Sequence, residues 1–185
     1  MIHVITYRNE TSKTLLPYLH TLYAEENNIS VGKLITSIEN DTFVGWTSVM
    51  KDDNDLISCA AAEVSPHYTD DVSLRFCRYY KMKSKRKIRY NVYPYFKTFI
   101  TICRQHGFKV FYLSVHDERV IKDTSNSRIR RMYNGYIDDI SMDDFVLRDD
   151  IMLATSPGCV QQIYAYIVEP GYVWNPRSDY IISTP

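Results

Sequence analysis

One stretch of the chain, residues 72–116, constrains the fold more than any other. It carries eleven lysine and arginine residues, half of the chain's 22, and no aspartate or glutamate. Its hydrophobic pattern predicts a strand, a basic loop, a helix and a second strand, over 72–82, 83–92, 93–106 and 110–115. Because a strand–helix–strand unit normally makes a right-handed crossover, we expect the two strands to be parallel neighbours in one sheet.

The basic loop lies between a strand and the N-terminus of a helix. Six of the eleven basic residues lie between Lys81 and Arg89. Unpaired backbone N–H groups and the positive end of the helix dipole both attract anions at such a position. The segment therefore predicts a site for a phosphorylated ligand, and the alternative is a solvated basic surface loop.

The remaining elements follow from apolar periodicity and from the residues that begin and end helices. Thr11 or Ser12 is the predicted N-cap of the first helix, and Ser30 that of the second. Pro94 and Gly107 mark the start and the end of the helix in the basic stretch. The other predicted elements are a strand at 3–7, helices at 13–25 and 31–38, a hairpin of strands at 42–50 and 56–64, a short helix at 127–133, and closing strands at 151–154 and 161–168.

The predicted core lies around the helix of the basic stretch and its two strands. Strict alternation in the strand at 72–82 places Phe76, Arg78 and Tyr80 on one face, opposite Cys77 and Tyr79. The residues expected to be largely buried are Leu74, Phe76, Phe96, Ile100, Cys103, Phe111 and Leu113.

Composition excludes several classes of protein. The net charge is zero, with an acidic segment at 138–150, which argues against nucleic-acid binding as the main role. No signal peptide or membrane span is visible, and the four cysteines are scattered without metal-site spacing. We therefore expect a protein with reduced thiols in the cytoplasm, or in the host cytoplasm if the chain is viral, with no metal and no membrane partner.

The order of elements resembles the GNAT superfamily of acyl-CoA-dependent N-acyltransferases. The resemblance covers residues 2–168, and Gly107-Phe108 with the strand that follows is similar to a Gly-Phe pair and strand of that family. It implies an α/β (α+β) fold with a mixed central sheet, mostly antiparallel with one parallel pair, flanked by helices. It also implies a single domain over 1–169 and a C-terminal tail, 170–185, packed on that domain.

The resemblance implies acetyl-CoA as acyl donor, lying between the strands at 72–82 and 110–115. The backbone of Cys77, Arg78, Tyr79 and Tyr80 would hold the pantetheine arm. The pyrophosphate would be bound in the loop, by Lys85, Arg86, Lys87, Ile88, Arg89, Tyr90, Asn91 and Val92.

This chain departs from the family in the pyrophosphate loop. Lys87 stands where Gln or Arg is usual, Tyr90 where the first Gly is, and Val92 where the second Gly or Ala is. Glycines let a pyrophosphate approach the backbone, and side chains obstruct it. Either the basic side chains bind the phosphates instead, or the cofactor site is lost.

Three residues are candidates for proton transfer. Tyr133, in Met132-Tyr-Asn-Gly-Tyr136, resembles the family's general acid for the departing thiolate, with compressed spacing. Glu63 and His116, each at the end of a predicted strand, are the candidates for general base. The alternatives are a Tyr that packs on the sheet, a solvent-facing glutamate and a histidine that caps a helix or loop.

Three functions follow. The first is an acyl-CoA-dependent N-acyltransferase that moves an acyl group, acetyl by the resemblance, to an amine. The second is a non-catalytic GNAT-like protein for binding, structure or virion assembly, since the short, Tyr-rich chain with degenerate motifs is similar to GNAT-like proteins of tailed phages. The third is nucleic-acid binding through basic residues interleaved with tyrosines. Whether the protein forms a homo-oligomer or binds an assembly partner stays open.

Overall fold

The computed structural model describes residues 1–64, 73–86, 92–116, 145–156 and 159–175 of the 185-residue chain. The described strands form one sheet in the order β1-β2-β3-β4-β5-β7-β6. Their bounds are β1 Ile2–Arg8, β2 Gly45–Asp52, β3 Asp55–Val64, β4 Ser73–Lys81, β5 Val110–His116, β6 Phe145–Ser156 and β7 Cys159–Ile167. The sheet is mostly antiparallel with one parallel pair, β4 and β5, which confirms the predicted mixed sheet.

The helices α1 and α2 begin at other residues than the predicted caps. The described helices are a 3₁₀ helix at Asn9–Leu15, α1 at Leu16–Glu26, α2 at Ile29–Glu39, a 3₁₀ turn at Lys83–Lys85 and α3 at Tyr93–His106. Asn28, not Ser30, caps α2: its side-chain oxygen accepts from the N–H groups of Ser30 and Val31 at 3.0 and 3.2 Å. The prediction of Thr11 or Ser12 for α1 is also wrong, because a 3₁₀ helix precedes α1 and the Ser12 hydroxyl donates to the carbonyl of Tyr7.

The described chain divides into two compact units, and the first comprises Met1–Val64 with Phe76–Tyr95. Its core consists of apolar side chains of α1 and α2 packed with Val49, Cys59 and Ala61 of the sheet. Gly45, at the start of β2, is required by close approach: a Cβ there would lie 2.1 Å from the carbonyl oxygen of Ala62. The small residues of β3 and Gly45 therefore let the hairpin strands lie close together under the helices.

The second unit comprises Ser65–Arg75 with Phe96–Pro185. Phe96 and Phe99 of α3 are fully buried, and the ring of Phe96 lies 5.7 Å from that of Phe111 in an edge-to-face contact. Gly107 ends α3 with a φ of +78°, in the left-handed region that glycine adopts without strain. Trp174 is buried and its ring lies 5.3 Å from that of Tyr112. All seven residues predicted to be in the core are buried.

The closing strands are longer than predicted. β6 begins at Phe145, although the sequence predicts a strand only from Ile151. The pairing of β6 with β7 shifts register between Arg148 and Met152. The acidic pair Asp149-Asp150 lies in this irregularity. The hydrophobic pattern of the sequence is therefore interrupted there, although the strand continues.

Three of the described cysteines, Cys59, Cys77 and Cys103, are free thiols. Burial raises the pKa of Cys59 and of Cys103 to about 12, so both stay protonated at neutral pH. Among the described helices, none has the length and apolar character needed to cross a membrane.

Candidate functional site

The alternation of β4 breaks around Arg78. The rings of Phe76 and Tyr79 lie 6.4 Å apart, whereas Cys77 and Tyr80 both pack with the α1 and α2 cluster. Residues three apart in a regular strand point to opposite faces, so one extra residue lies within this stretch, as in a β-bulge. The strict alternation predicted for this strand is therefore wrong. A bulge leaves a backbone group out of the strand ladder, which is where the backbone can bind a ligand.

A buried hydrogen bond fixes the neighbourhood of Tyr79. The Tyr79 ring lies 6.1 Å from the ring of Tyr95 in an edge-to-face contact. Tyr95 is fully buried, and its hydroxyl lies 2.9 Å from that of Ser58 on β3. Burial, with the nearby Cys59, raises the pKa of Tyr95 well above its usual range. Tyr95 is therefore neutral and anchors this part of β4 through its hydroxyl and ring contacts.

The turn after β4 is held by a carboxylate of α1. Glu25 accepts from the backbone N–H groups of Lys83 and Ser84, at 2.6 and 3.3 Å. It also accepts from the Tyr80 hydroxyl at 3.1 Å. Burial alone would raise the pKa of Glu25, but these hydrogen bonds and the nearby Arg86 hold the pKa below its usual value. The backbone N–H groups of the turn therefore bind an anion, and that anion is the Glu25 carboxylate of the same chain.

The next two basic side chains are also paired within the chain. The Lys85 ammonium lies 2.9 Å from the carboxylate of Asp55, and the Arg86 guanidinium donates to Glu26. Arg86 also stacks over the ring of Tyr80, 5.6 Å from its centroid. Acidic side chains therefore offset the charge of the first part of the basic loop, although each exposed pair adds little to stability.

Sequence reasoning missed these acidic partners. Glu25 and Glu26 lie in the last turn of α1, where the negative end of the helix dipole disfavours a carboxylate. Two glutamates at such a position are a signal that the side chains interact with something outside their own helix. The pattern could have indicated a basic or N–H-rich partner, but not that the partner is residues 83–86.

The second half of the predicted pyrophosphate loop is only partly described. Lys87, Ile88, Arg89, Tyr90 and Asn91 lie outside the described residues. Val92 is 1% exposed, and its carbonyl accepts from the N–H of Tyr95 at 3.0 Å. Val92 thus contributes to the start of α3, and its role in a cofactor site stays a prediction.

The structure describes the positions of two of the three predicted proton-transfer residues. Glu63 is half-buried near the end of β3, opposite Gly45. His116 is the last residue of β5 and is opposite Gln161 of β7. Tyr133 lies outside the described residues. The roles of these three residues in proton transfer stay predictions.

Other sites in the described ranges are sparse. No group of three or more His, Cys, Asp or Glu side chains there could hold a metal ion. An open groove of about 550 Å³ lies along α1 and α2, beside His20, Tyr23 and Ile29. None of the predicted site residues lines it.

Comparison with known proteins identifies the fold. Neither a protein-family model nor a curated protein matches the sequence. Solved structures do match. A Desulfovibrio desulfuricans protein assigned to the GNAT family of acetyltransferases is 10% identical, with a TM-score of 0.60 over 91% of this chain and 100% of that one.

Two further matches are named for their activities. The ribosomal-protein-S18-alanine N-acetyltransferase of Escherichia coli is 10% identical, with a TM-score of 0.54 over 94% of this chain and 100% of that one. An aminoglycoside 6'-N-acetyltransferase complexed with coenzyme A is 14% identical, with a TM-score of 0.56 over 91% of this chain and 99% of that one. The chain therefore has the GNAT fold, as its order of elements predicts.

Proposed function

We propose that this protein is an acyl-CoA-dependent N-acyltransferase. The observation that carries the proposal is the break in β4 at Arg78, followed by a basic turn and then α3, in a chain with the GNAT fold. A break of this kind leaves a backbone group out of the strand ladder, and an extended pantetheine arm presents amides that pair with backbone. Acetyl-CoA is the proposed donor and an amine the acceptor.

The residues of the proposed site fit acetyl-CoA in part. The backbone of Cys77–Tyr80 would bind the pantetheine, and Tyr79 is fixed for this by its contact with Tyr95. Lys87 and Arg89 are the better candidates for the pyrophosphate, since Lys85 and Arg86 are paired with Asp55 and Glu26. Side-chain cations would then replace the backbone contacts that the missing glycines provide elsewhere.

The chemistry requires positioning and two proton transfers. Bound acyl-CoA supplies an activated acyl group, which leaves sulfur for the amine nitrogen of the acceptor. Glu63 or His116 would take the proton that the amine nitrogen loses. Tyr133 would give a proton to the sulfur that leaves. No covalent intermediate with the protein is needed, so orientation of the two substrates is the main contribution.

A second function is favoured by a specific observation. Both loop glycines are missing, and Glu25, Glu26 and Asp55 offset the positive groups of the turn at 83–86. These features suit a GNAT-like protein that binds a partner without turnover. Nucleic-acid binding is less favoured, because two described cations of the loop, Lys85 and Arg86, already have acidic partners. Three described free thiols support the proposal of a reducing, cytoplasmic location.

Turnover is tested by release of free thiol from acetyl-CoA in the presence of amines. The panel contains a polyamine, an aminoglycoside, free lysine and a peptide with a free N-terminus. We expect one class of amine to raise thiol release well above the rate without acceptor, and Tyr133→Phe to lower it by about 10²-fold, the usual size of an acid–base contribution. Thiol release that no amine raises, from a protein that binds CoA, would support the non-catalytic alternative.

A further inference from the structure

Strand β1 forms one edge of the sheet. Among the described strands it pairs with β2 alone. The register of this pair runs unbroken from Ile2 opposite Asp52 to Arg8 opposite Trp46. A regular edge strand presents a row of backbone N–H and C=O groups with which another chain can pair. The seven residues of β1 are therefore a template for the addition of a strand.

Two hydrogen bonds show which backbone groups of β1 point outward. The carbonyl of Met1 accepts from the N–H of Asp53 at 3.1 Å, and on the other side of β2 the N–H of Val64 donates to the carbonyl of Val44 at 2.9 Å. Hydrogen-bonded pairs alternate along an antiparallel ladder, and both bonds give the same alternation, in which the odd-numbered residues of β1 bond to β2. The residues of β1 whose N–H and C=O groups point outward are therefore Ile2, Val4, Thr6 and Arg8.

β1 lacks the features that protect exposed edges of natural sheets. Such edges usually carry prolines, bulges, or lysines and other charged side chains. The sequence Ile-His-Val-Ile-Thr-Tyr-Arg has no proline, no acidic residue and no lysine, and its one permanent charge is Arg8 at the end. The strand at the other end of the sheet order, β6, has register shifts and contains Asp149 and Asp150. The contrast indicates that β1 suits pairing with another strand.

The chain that follows β1 turns away from this edge. Asn9 has a φ of 41°, and its side-chain oxygen accepts from the N–H of Gly45 on β2 at 2.8 Å. The 3₁₀ helix that begins at Asn9 contacts β2. The turn therefore directs this helix across the sheet and not along the outer side of β1.

We propose that β1 pairs with β1 of a second copy of this chain, antiparallel, with Ile5 opposite Ile5 at the two-fold axis. The outward groups are satisfied only where even-numbered residues lie opposite even-numbered residues. In this register Val4 lies opposite Thr6, and Ile2 lies opposite Arg8. Every outward group of the strand is then used, in about eight backbone hydrogen bonds that join two sheets into one. The pairing does not depend on the proposed acyltransferase function.

Charge favours an antiparallel second copy over a parallel one. Arg8 is exposed at one end of β1, and at the other end the exposed carboxylates of Asp52 and Asp53 surround the N-terminal ammonium. In the antiparallel pair, Arg8 lies opposite Ile2 of the second copy, on the same face as Asp52, because opposite residues share a face. Each end of the interface then joins a cation to an acidic end, whereas a parallel pair places Arg8 beside Arg8.

The side chains of β1 add apolar contact to this pairing. Ile2 and Tyr7 are exposed, at 44% and 38%. Ile5 is partly buried and packs with the apolar cluster of α1 and α2. Contact between the two Ile5 side chains therefore extends this cluster across the two-fold axis, and the second copy covers the exposed Ile2 and Tyr7.

Sedimentation of the full chain over a range of protein concentrations tests the pairing. We expect the 21.7 kDa monomer to give way to a dimer as the concentration rises. Val4→Pro removes an outward N–H and leaves the bonds to β2 intact, because proline is tolerated where an edge N–H faces outward. We expect it to raise the Kd of the dimer about tenfold or more, whereas the control Val4→Thr, which keeps the N–H, leaves the Kd unchanged. A wild type that stays monomeric at its highest soluble concentration overturns the proposal.

A charge reversal provides a second variant that keeps the backbone of β1. Arg8→Glu places a carboxylate near the acidic end of the second copy. We expect the Kd of the dimer to rise about tenfold at low salt and less at high salt, because exposed charges are screened. A dimer whose Kd does not change in this variant at low salt contradicts the antiparallel arrangement.

Hydrogen exchange of single amides in the wild type tests the register and needs no variant to fold. The amides of Val4 and Thr6 should exchange about tenfold or more slowly in the dimer than in the diluted monomer, because only the dimer bonds them. Those of His3 and Ile5 bond to β2 and should be protected at both concentrations. A dimer in which dilution does not change the exchange of Val4 and Thr6 has its interface elsewhere, and that result overturns the proposal.

Discussion

Phe96→Ala is expected to lower the free energy of unfolding by about 3–5 kcal/mol, the usual cost of truncating a buried aromatic side chain. Phe96 is fully buried on α3, and its ring packs edge-to-face on Phe111 at 5.7 Å. The substitution removes this contact and leaves a cavity that the β5 side chains can only partly fill. Chemical denaturation of the wild type and the variant measures the difference.

The matched control for Phe96→Ala is Lys97→Ala, the next residue of the same helix, whose side chain is exposed. We expect this control to change stability by no more than about 0.5 kcal/mol, as surface substitutions usually do. A loss below about 1 kcal/mol for Phe96→Ala would contradict the packing of α3 described above.

Lys87→Ala is expected to weaken CoA binding about tenfold or more, whereas Lys85→Ala is expected to weaken it far less. A charge-assisted hydrogen bond to phosphate is worth about 1.5–3 kcal/mol, which corresponds to that loss of affinity. Lys85 already pairs with Asp55 at 2.9 Å, so its charge is largely committed within the chain. Titration calorimetry with CoA and dephospho-CoA, at two salt concentrations, measures the effect.

The controls for the loop variants are the melting temperature and single-stranded DNA. Because the first part of the loop is exposed and its ion pairs are weak, the Tm should change little in Lys85→Ala. Equal losses of CoA affinity in both lysine variants would contradict the assignment of the phosphates to the second half of the loop. A steep salt dependence of DNA binding, lost in the same variants, would instead favour nucleic acid.

The part of the fold that could be predicted is the part with local signals. α3 has the predicted bounds because Pro94 fixes its first turn and Gly107 its end. The predicted N-caps of α1 and α2 are wrong, because Asn28, Ser30, Thr11 and Ser12 are all good capping residues by type. Which of them caps depends on where the preceding chain enters the helix, and a local pattern does not contain that information.

The break in β4 and the pairing of the loop could not be predicted from local patterns. The residues Cys77-Arg78-Tyr79 contain no glycine, so the sequence bears no mark of a bulge. Glu25 lies 58 residues before Lys83, and only the folded sheet brings the two together. The site was therefore predicted as a basic phosphate loop, whereas its first half proves to be held by acidic side chains of the same chain.

Titration calorimetry of the wild type with acetyl-CoA and with free CoA tests the central claim, that this chain binds acyl-CoA, most directly. The proposed function predicts one site per chain with a Kd in the micromolar range, weakened in Lys87→Ala. Absence of binding to either ligand, by a protein that melts cooperatively, would contradict the claim and leave a GNAT fold with a role other than acyl transfer.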